Sequence, residues 1–244
     1  MKKNLFPVII GFALACMSCH PSQKNINDRT GIADDYTHAP ASADGTGKFY
    51  MGREIAIVMG ASGSEWLERD TRNTEENTSL AIANLPLQTN SVVADIGAGT
   101  GYYSFRIAKR IPEGKLYAID IQDEMINQLQ QKKKLLGDSV VTIIKGSEYS
   151  PNLPDNSTDL ALMVDVYHEL AYPKEMLAAL YKALKPDGKI VLLEYRGEDP
   201  SIPIKPLHKT TIAQLNKEME ANGFTLSYKE EFLPIQHFLV YKKK

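Results

Sequence analysis

Two stretches of this chain carry residue types that could do chemistry together. The first is Asp95-Ile96-Gly97-Ala98-Gly99-Thr100-Gly101-Tyr102, an acid and three alternating glycines behind the apolar run Val92-Val93-Ala94. The second is Asp165-Val166-Tyr167-His168-Glu169, behind Leu160-Ala161-Leu162-Met163-Val164. Alternating glycines after a strand let the backbone turn sharply and approach a ligand with no Cβ in the way. A P-loop is excluded, because no Gly-Lys-Ser/Thr follows. The dinucleotide pattern G-x-G-x-x-G also fails: counted from Gly97 it ends on Tyr102, and from Gly99 on Ser104. An acid directly ahead of the glycines attracts an ammonium or sulfonium and repels a phosphate. The expected ligand is therefore a cationic nucleoside.

Other residues at the same sheet edge fit such a ligand. Asp120 ends the next strand, about 20 residues beyond the glycines, where a carboxylate accepts from both hydroxyls of a ribose. Its bland alternative is to cap the following helix, a role Asp123 can also fill. Ser147 and Glu148, in Lys145-Gly146-Ser147-Glu148 after the third strand, are placed to meet a purine edge or simply to form a loop. In the second stretch Asp165 is positioned for an ammonium. His168 is a candidate general base, with Glu169 orienting it and Tyr167 shaping an acceptor pocket. The packing alternative has Tyr167 and His168 filling a strand end and Glu169 capping a helix. His208 and His237 are secondary candidates. Cysteine is absent beyond Cys19, and no close histidine–carboxylate ligand spacing is evident, so no metal is expected.

These residues need a scaffold that brings strand ends together. From Ser91 onward strands and helices alternate, the pattern of a parallel sheet covered on both faces. Strands are predicted at 92–96, 116–121, 140–144, 160–165 and 189–194, and helices at 124–136, 174–184 and 211–222. Lys185-Pro186-Asp187-Gly188 reads as a turn, and Phe224–Lys229 with His237–Tyr241 as a closing antiparallel pair. Upstream, Arg53–Met59 and Glu75–Leu85 are predicted to be helices separated by a break at Gly60-Ala61-Ser62-Gly63.

The ordered set Asp95–Gly101, Ile119-Asp120, Leu153-Pro154-Asp155-Asn156-Ser157-Thr158-Asp159 and Leu184–Gly188 resembles the class I S-adenosylmethionine-dependent methyltransferases over roughly residues 80–241. The resemblance implies a Rossmann-like α/β fold: a doubly wound sheet of about seven mostly parallel strands with a C-terminal antiparallel hairpin. It implies S-adenosyl-L-methionine as cofactor. The methionine part would be held by Asp95, Gly97, Ala98, Gly99, Gly101 and Tyr102, the ribose by Asp120 and Ile121, the adenine by Ser147 and Glu148, and the ammonium by Asp165. Asp187 stands where the family usually has Gly. The block around Tyr50–Glu54 and Trp66–Arg69 resembles an N-terminal extension of some exported bacterial members, a helical lid or a plain pack against the sheet. Arg53, Trp66, Arg69 and Arg72 are its residues of interest.

The first residues read as an address. Lys2 and Lys3 precede an apolar run to Ala15, too short to span a bilayer, and small residues follow around Cys16 and Cys19. The placement resembles a bacterial lipoprotein signal with Cys16 or Cys19 lipidated, which implies export and membrane anchoring, or a periplasmic location if the signal is cleaved. The expected organisation is a signal over 1–19, a disordered tether over 20–47, a helical extension or lid over 48–90, and the methyltransferase-like domain over 91–244. Net charge is −2, with no basic stripe, which argues against nucleic acid and for a small-molecule or lipid acceptor. Because the methyl donor is made in the cytosol, a ligand-binding protein without transferase activity is a second reading. A nicotinamide-dependent oxidoreductase is a third.

Overall fold

The structure, a computed structural model, describes Met1 and residues 35–244. The expected signal, Cys16, Cys19 and most of the tether lie outside the described residues. In chain order the elements are β1 (Tyr36–His38), β2 (Gly45–Tyr50), β3 (Arg53–Ala56), α1 (Ser64–Leu67), α2 (Arg72–Glu76), α3 (Thr78–Ala83), β4 (Val92–Ile96), α4 (Ser104–Ala108), β5 (Lys115–Asp120), α5 (Asp123–Leu136), β6 (Val141–Lys145), β7 (Thr158–Val164), α6 (Pro173–Ala183), β8 (Leu184–Tyr195), α7 (Ile212–Ala221), β9 (Phe224–Glu230) and β10 (Gln236–Lys243). Short 3-10 turns lie at Ala61–Gly63, Tyr167–Glu169 and Pro206–His208. No helix among the described residues is long and apolar enough to cross a membrane.

Seven strands form one sheet in the order β6-β5-β4-β7-β8-β10-β9. The first five run parallel, and β10 inserts antiparallel between β8 and β9. The apolar runs read from the sequence are buried because helices cover both faces. Period-2 alternation divides them: Val93, Leu160 and Leu162 pack on one face with α4, and Ala94, Ile96, Ala161 and Met163 on the other with α6 and α7. The strand order reverses between β4 and β7, so their carboxyl ends open onto a crevice. Residues Lys185–Gly188 lie within β8 as an irregularity, since Thr158 pairs with Leu184 while Leu160 pairs with Lys189.

The N-terminal extension differs from expectation. Arg53–Ala56 is a strand and not a helix, paired antiparallel with β2 in a three-stranded sheet β1-β2-β3. Met51 and Gly52 form the two-residue connection, with φ of 49° and 94°, the geometry that suits a tight hairpin. Burial of Tyr50, Ile55 and Ala56 outweighs the helical character of the local sequence. Part of the span expected to be a tether is folded: β1 begins at Tyr36, whose ring packs on Tyr50 and Tyr172 at centroid distances of 5.3 and 5.8 Å. The second expected helix is split at Asn77, left-handed with φ 54°. Asn73 explains the split: its side-chain oxygen accepts from the Ser79 N–H and the Thr78 hydroxyl, giving α3 its own start.

Candidate active site

A cavity of about 660 Å³ opens at the carboxyl edge of the sheet, over the β4–β7 crevice. Gly97, Gly99, Asp120, Ile121, Ser147, Glu148, Asp165, His168 and Glu169 line it, so the loops after four different strands meet there. Apolar side chains from Met59, Trp66, Leu67, Leu170 and Met176 form much of the remaining wall.

Two carboxyl groups of this wall are held on the sheet edge. Asp120 Oδ2 accepts from the Gly99 N–H at 2.9 Å and Oδ1 from the Gln122 N–H at 2.9 Å. Each oxygen keeps a second lone pair, so the carboxylate is fixed in orientation and still free to accept from a diol. Burial raises its pKa, opposed by the Gln122 and Gly99 N–H groups. The helix-capping alternative is partly realised too, because Gln122 immediately precedes α5. Asp165 sits at φ 53°, a backbone conformation unusual for a non-glycine residue. Its Oδ2 accepts from Gln236 Nε2 at 2.7 Å, whereas its buried Oδ1 has no hydrogen-bond partner. Burial, followed by the neighbouring Glu76 and Glu194 charges, pushes the Asp165 carboxyl well above the usual carboxylate range. An unpartnered acceptor in a strained loop beside a cavity fits an ammonium group. Glu148 lines the purine side, while the Ser147 hydroxyl is tied into its own loop, accepting from the Tyr149 and Ser150 N–H groups.

In the same wall His168 is buried and held from behind. Its Nδ1 lies 2.7 Å from Glu194 Oε2, and Glu194 Oε1 accepts from the Val166 and Tyr167 N–H groups at 3.1 and 2.8 Å. The ring therefore presents Nε2 toward the cavity, 3.2 Å from His208 Nδ1. Glu194 does the orienting expected of Glu169, whose Oε1 instead accepts from the Met59 N–H at 3.1 Å and stands 3.8 Å from His168 Nε2. Glu194 was not foreseen, and His208, a secondary candidate, joins the wall. His237 is paired with Glu198 at 2.9 Å and is not part of the cavity wall.

Five expected contacts stand off that wall. Asp95 shares the face of β4 that carries Val93, so its carboxyl points under α4 and accepts from the Ser104 hydroxyl at 2.5 Å. Desolvation pushes its pKa up to about 7, which makes it a poor counter-charge for a cation. Ala98 is fixed by a bond from its N–H to the Ile119 carbonyl. Gly101 serves packing, because a Cβ there would lie 2.6 Å from the Phe105 ring and 2.8 Å from Leu129, at φ 78°. Tyr102 points toward Thr78, with Arg72 and Arg106 over its ring. Tyr167 is fully buried and donates to Glu218 at 2.9 Å, so it shapes the core and not an acceptor pocket.

The upstream segment is fastened over the glycine turn. Thr100 Oγ1 donates to Glu68 at 2.5 Å, and a Cβ at Gly99 would meet Leu67 Cδ1 at 2.7 Å. A buried network anchors the same segment from beneath: Glu76 accepts from Arg69 at 2.6 Å, Arg72 at 2.9 Å and the Tyr195 hydroxyl at 2.8 Å. Arg53 belongs elsewhere, pairing with Glu218 at 2.8 Å beneath the His168 turn.

Comparison with known proteins agrees with this geometry. A family model described as a methyltransferase domain matches residues 94–190. A demethylmenaquinone methyltransferase of Chlamydia trachomatis serovar L2 is 27% identical over 155 residues, 62% of this chain and 66% of that relative. The chain thus spans just under two thirds of the length of that relative. A crystal structure of an S-adenosylmethionine-dependent methyltransferase from Aquifex aeolicus matches with a TM-score of 0.71 at 25% identity, over 75% of this chain and 98% of that one. An O-methyltransferase from neocarzinostatin biosynthesis, in complex with S-adenosyl-L-homocysteine and 1,4-dihydroxy-2-naphthoic acid, shares the fold with a TM-score of 0.63 at 14% identity, over 75% of this chain and 58% of that one. The cofactor of such enzymes is S-adenosyl-L-methionine. Residues 94–190 thus match a methyltransferase domain, within a fold shared with solved S-adenosylmethionine-dependent methyltransferases.

Proposed function

We propose that this chain transfers a methyl group from S-adenosylmethionine to a small, largely apolar acceptor held against the His168 face of the cavity. The observation that carries the reading is that one cavity is lined both by an oriented carboxylate with acceptor capacity left, Asp120, and by a braced imidazole, His168. When bound, the cofactor supplies a methyl carbon already activated by a sulfonium. The protein's work is then alignment, exclusion of water and management of the acceptor's proton. Asp120 would hold the ribose, Asp165 the ammonium and the loop around Glu148 the purine. Leu67 and Trp66 would close over the donor as a lid, joined to the glycine turn by the Glu68–Thr100 bond. As the acceptor forms its new bond to the methyl carbon, the sulfur–carbon bond breaks with its electron pair left on the now neutral sulfur, and a protonated acceptor gives up its proton at the face that presents His168 Nε2. Apolar walls and near-neutral net charge favour an aromatic or lipid-like acceptor over a nucleic acid. The names of the relatives, with a demethylmenaquinone methyltransferase among them, lend support to an acceptor of the menaquinone type.

Export with a lipidated Cys16 or Cys19 is proposed from the residues between Lys2 and Cys19 alone, and palmitate labelling of Cys16→Ser and Cys19→Ser variants tests it.

Calorimetry of the full chain against S-adenosylmethionine, S-adenosylhomocysteine and NAD tests the donor assignment. The first two are expected to bind. Asp120→Ala is expected to weaken them about 100-fold or more, as loss of two hydrogen bonds to a charged group implies. Labelled-methyl transfer to a panel of naphthoquinols, phenols and their isoprenoid derivatives tests the reaction. Binding without turnover on any acceptor would favour a ligand-binding protein built on this fold.

A further inference from the structure

The wall facing the acceptor holds three metal-ligating side chains that sequence spacing did not bring together. His168 and Glu169 come from the turn after β7, and His208 from the 3-10 turn that Pro206 opens, forty residues later. Their facing atoms are 3.2 Å apart (His168 Nε2 to His208 Nδ1), 3.3 Å (His208 Nδ1 to Glu169 Oε1) and 3.8 Å (His168 Nε2 to Glu169 Oε1). A circle through three such points has a radius of about 2.0 Å, the distance at which Zn²⁺ meets imidazole nitrogens and carboxylate oxygens. We infer that His168, Glu169 and His208 form a binding site for a divalent transition-metal ion, with its open coordination position directed into the acceptor end of the cavity.

Three features argue for a metal site over a chance meeting of polar groups. Glu194 stands behind His168 with 2.7 Å to Nδ1 and is itself pinned by two backbone N–H groups. A carboxylate in that position keeps the proton on Nδ1 and leaves Nε2 as a lone-pair donor, the outer-shell arrangement of metal-ligating histidines. The charges also balance: Glu169 as ligand and Glu194 behind it bring two negative charges to a divalent ion. Finally, three protein ligands on one side leave a coordination position for a small molecule, the donor count of catalytic rather than structural zinc sites. Two imidazoles and one carboxylate suit Zn²⁺ or a neighbouring first-row ion better than Mg²⁺, which prefers oxygen ligands and keeps its water.

The inference deepens the methyl-transfer reading and rests on it for its purpose, though not for the binding itself. An ion there would coordinate the acceptor's hydroxyl oxygen and lower its pKa, so that the oxygen faces the methyl donor as an anion and the proton leaves to solvent. The oxygen–methyl bond then forms as the sulfur–methyl bond breaks.

The test is titration of the metal-stripped full chain with Zn²⁺ and, separately, with Co²⁺, whose visible absorption reports four-coordinate geometry. One equivalent should bind per chain, with Mg²⁺ unable to compete. His208→Ala and Glu169→Gln should each weaken Zn²⁺ binding about 100-fold, and Glu194→Gln about 10- to 100-fold by releasing the His168 ring. His208 lies in a partly exposed turn, so its variant retains the fold, and circular dichroism with S-adenosylhomocysteine calorimetry checks this. Absence of saturable binding, or binding undiminished in His208→Ala, overturns the site; ions held by Cys16, Cys19 or His20 would give the second result. Zn²⁺ binding without S-adenosylhomocysteine binding would uphold the metal site and sink the donor reading, and the reverse pattern would sink only the metal site.

Discussion

Glu194 Oε2 and His168 Nδ1 lie 2.7 Å apart, both side chains buried, with the other Glu194 oxygen held by the Val166 and Tyr167 N–H groups. The pair joins the ends of two neighbouring parallel strands and fixes which nitrogen of His168 reaches the cavity. Imidazole orientation is thus set by β8, not by the residue beside His168 in sequence.

Replacing His168 with Gln removes the atom presented to the acceptor. Methyl transfer is expected to fall about 10²- to 10⁴-fold, the range for loss of a group that assists removal of the acceptor's proton, directly or through an ion it holds. Donor affinity should be unchanged, because His168 makes no hydrogen bond to Asp120 or the glycine turn. Glu194→Gln should give a smaller loss in turnover with the donor still bound. Labelled-methyl turnover beside calorimetry reads both, and a fall in donor affinity parallel to the fall in rate would contradict the separate roles of Asp120 and His168.

Asp165 makes donor binding depend on pH. Burial, with Glu76 and Glu194 nearby, raises its pKa well above normal, so the free protein retains a proton there at pH values where an exposed aspartate has lost it. A bound ammonium favours the carboxylate and drives that proton off. Affinity for S-adenosylhomocysteine should therefore rise with pH until Asp165 is ionised in the free protein, then level. Calorimetry in two buffers of different ionisation enthalpy should show proton release on binding, and Asp165→Asn should abolish that release. Equal apparent enthalpies for the unaltered chain would count against an ammonium at Asp165.

How far the sequence foretold this site depends on what each residue's signal was. Asp120 and Asp165 announce themselves as acids that end apolar strands, and both reach the cavity. Glu194 carries the same signal, closing Ile190-Val191-Leu192-Leu193, but no motif drew the eye to it. Asp95 carries it as well and points the other way, since the face of a strand residue is set by its parity, and parity is relative to a core that the sequence leaves unnumbered. The pairing of the secondary candidate His208 with His168 was beyond reach for a different reason: the two meet only through the path of the chain between β8 and α7, a tertiary fact. The central sheet was legible because its strands are buried on both faces and read as unbroken apolar runs. The β2–β3 hairpin was not, because Met51-Gly52 is an uncommon tight-turn pair and Arg53–Ala56 is too short for periodicity to tell strand from helix.

Asp95 leaves a mark on stability that its place in the fold makes calculable in sign. Its carboxyl is fully buried beside Ser104, and desolvation raises its pKa from 3.8 to about 7 in the folded chain. Between those two values the folded protein holds a proton that the unfolded chain has released, so stability must fall as pH rises. The slope contributed by one such group is about 1.4 kcal/mol per pH unit inside that window, with none above it. Asp120 and Asp165, also raised, add to the trend. Asp95→Asn keeps the shape and an acceptor for the Ser104 hydroxyl while removing the ionisation. Chemical denaturation between pH 4 and pH 8 should show the unaltered chain losing stability toward neutral pH, and the variant losing distinctly less. If the variant's curve runs parallel to that of the unaltered chain across the whole range, Asp95 ionises as freely when folded as when unfolded, and its burial under α4 has no such consequence.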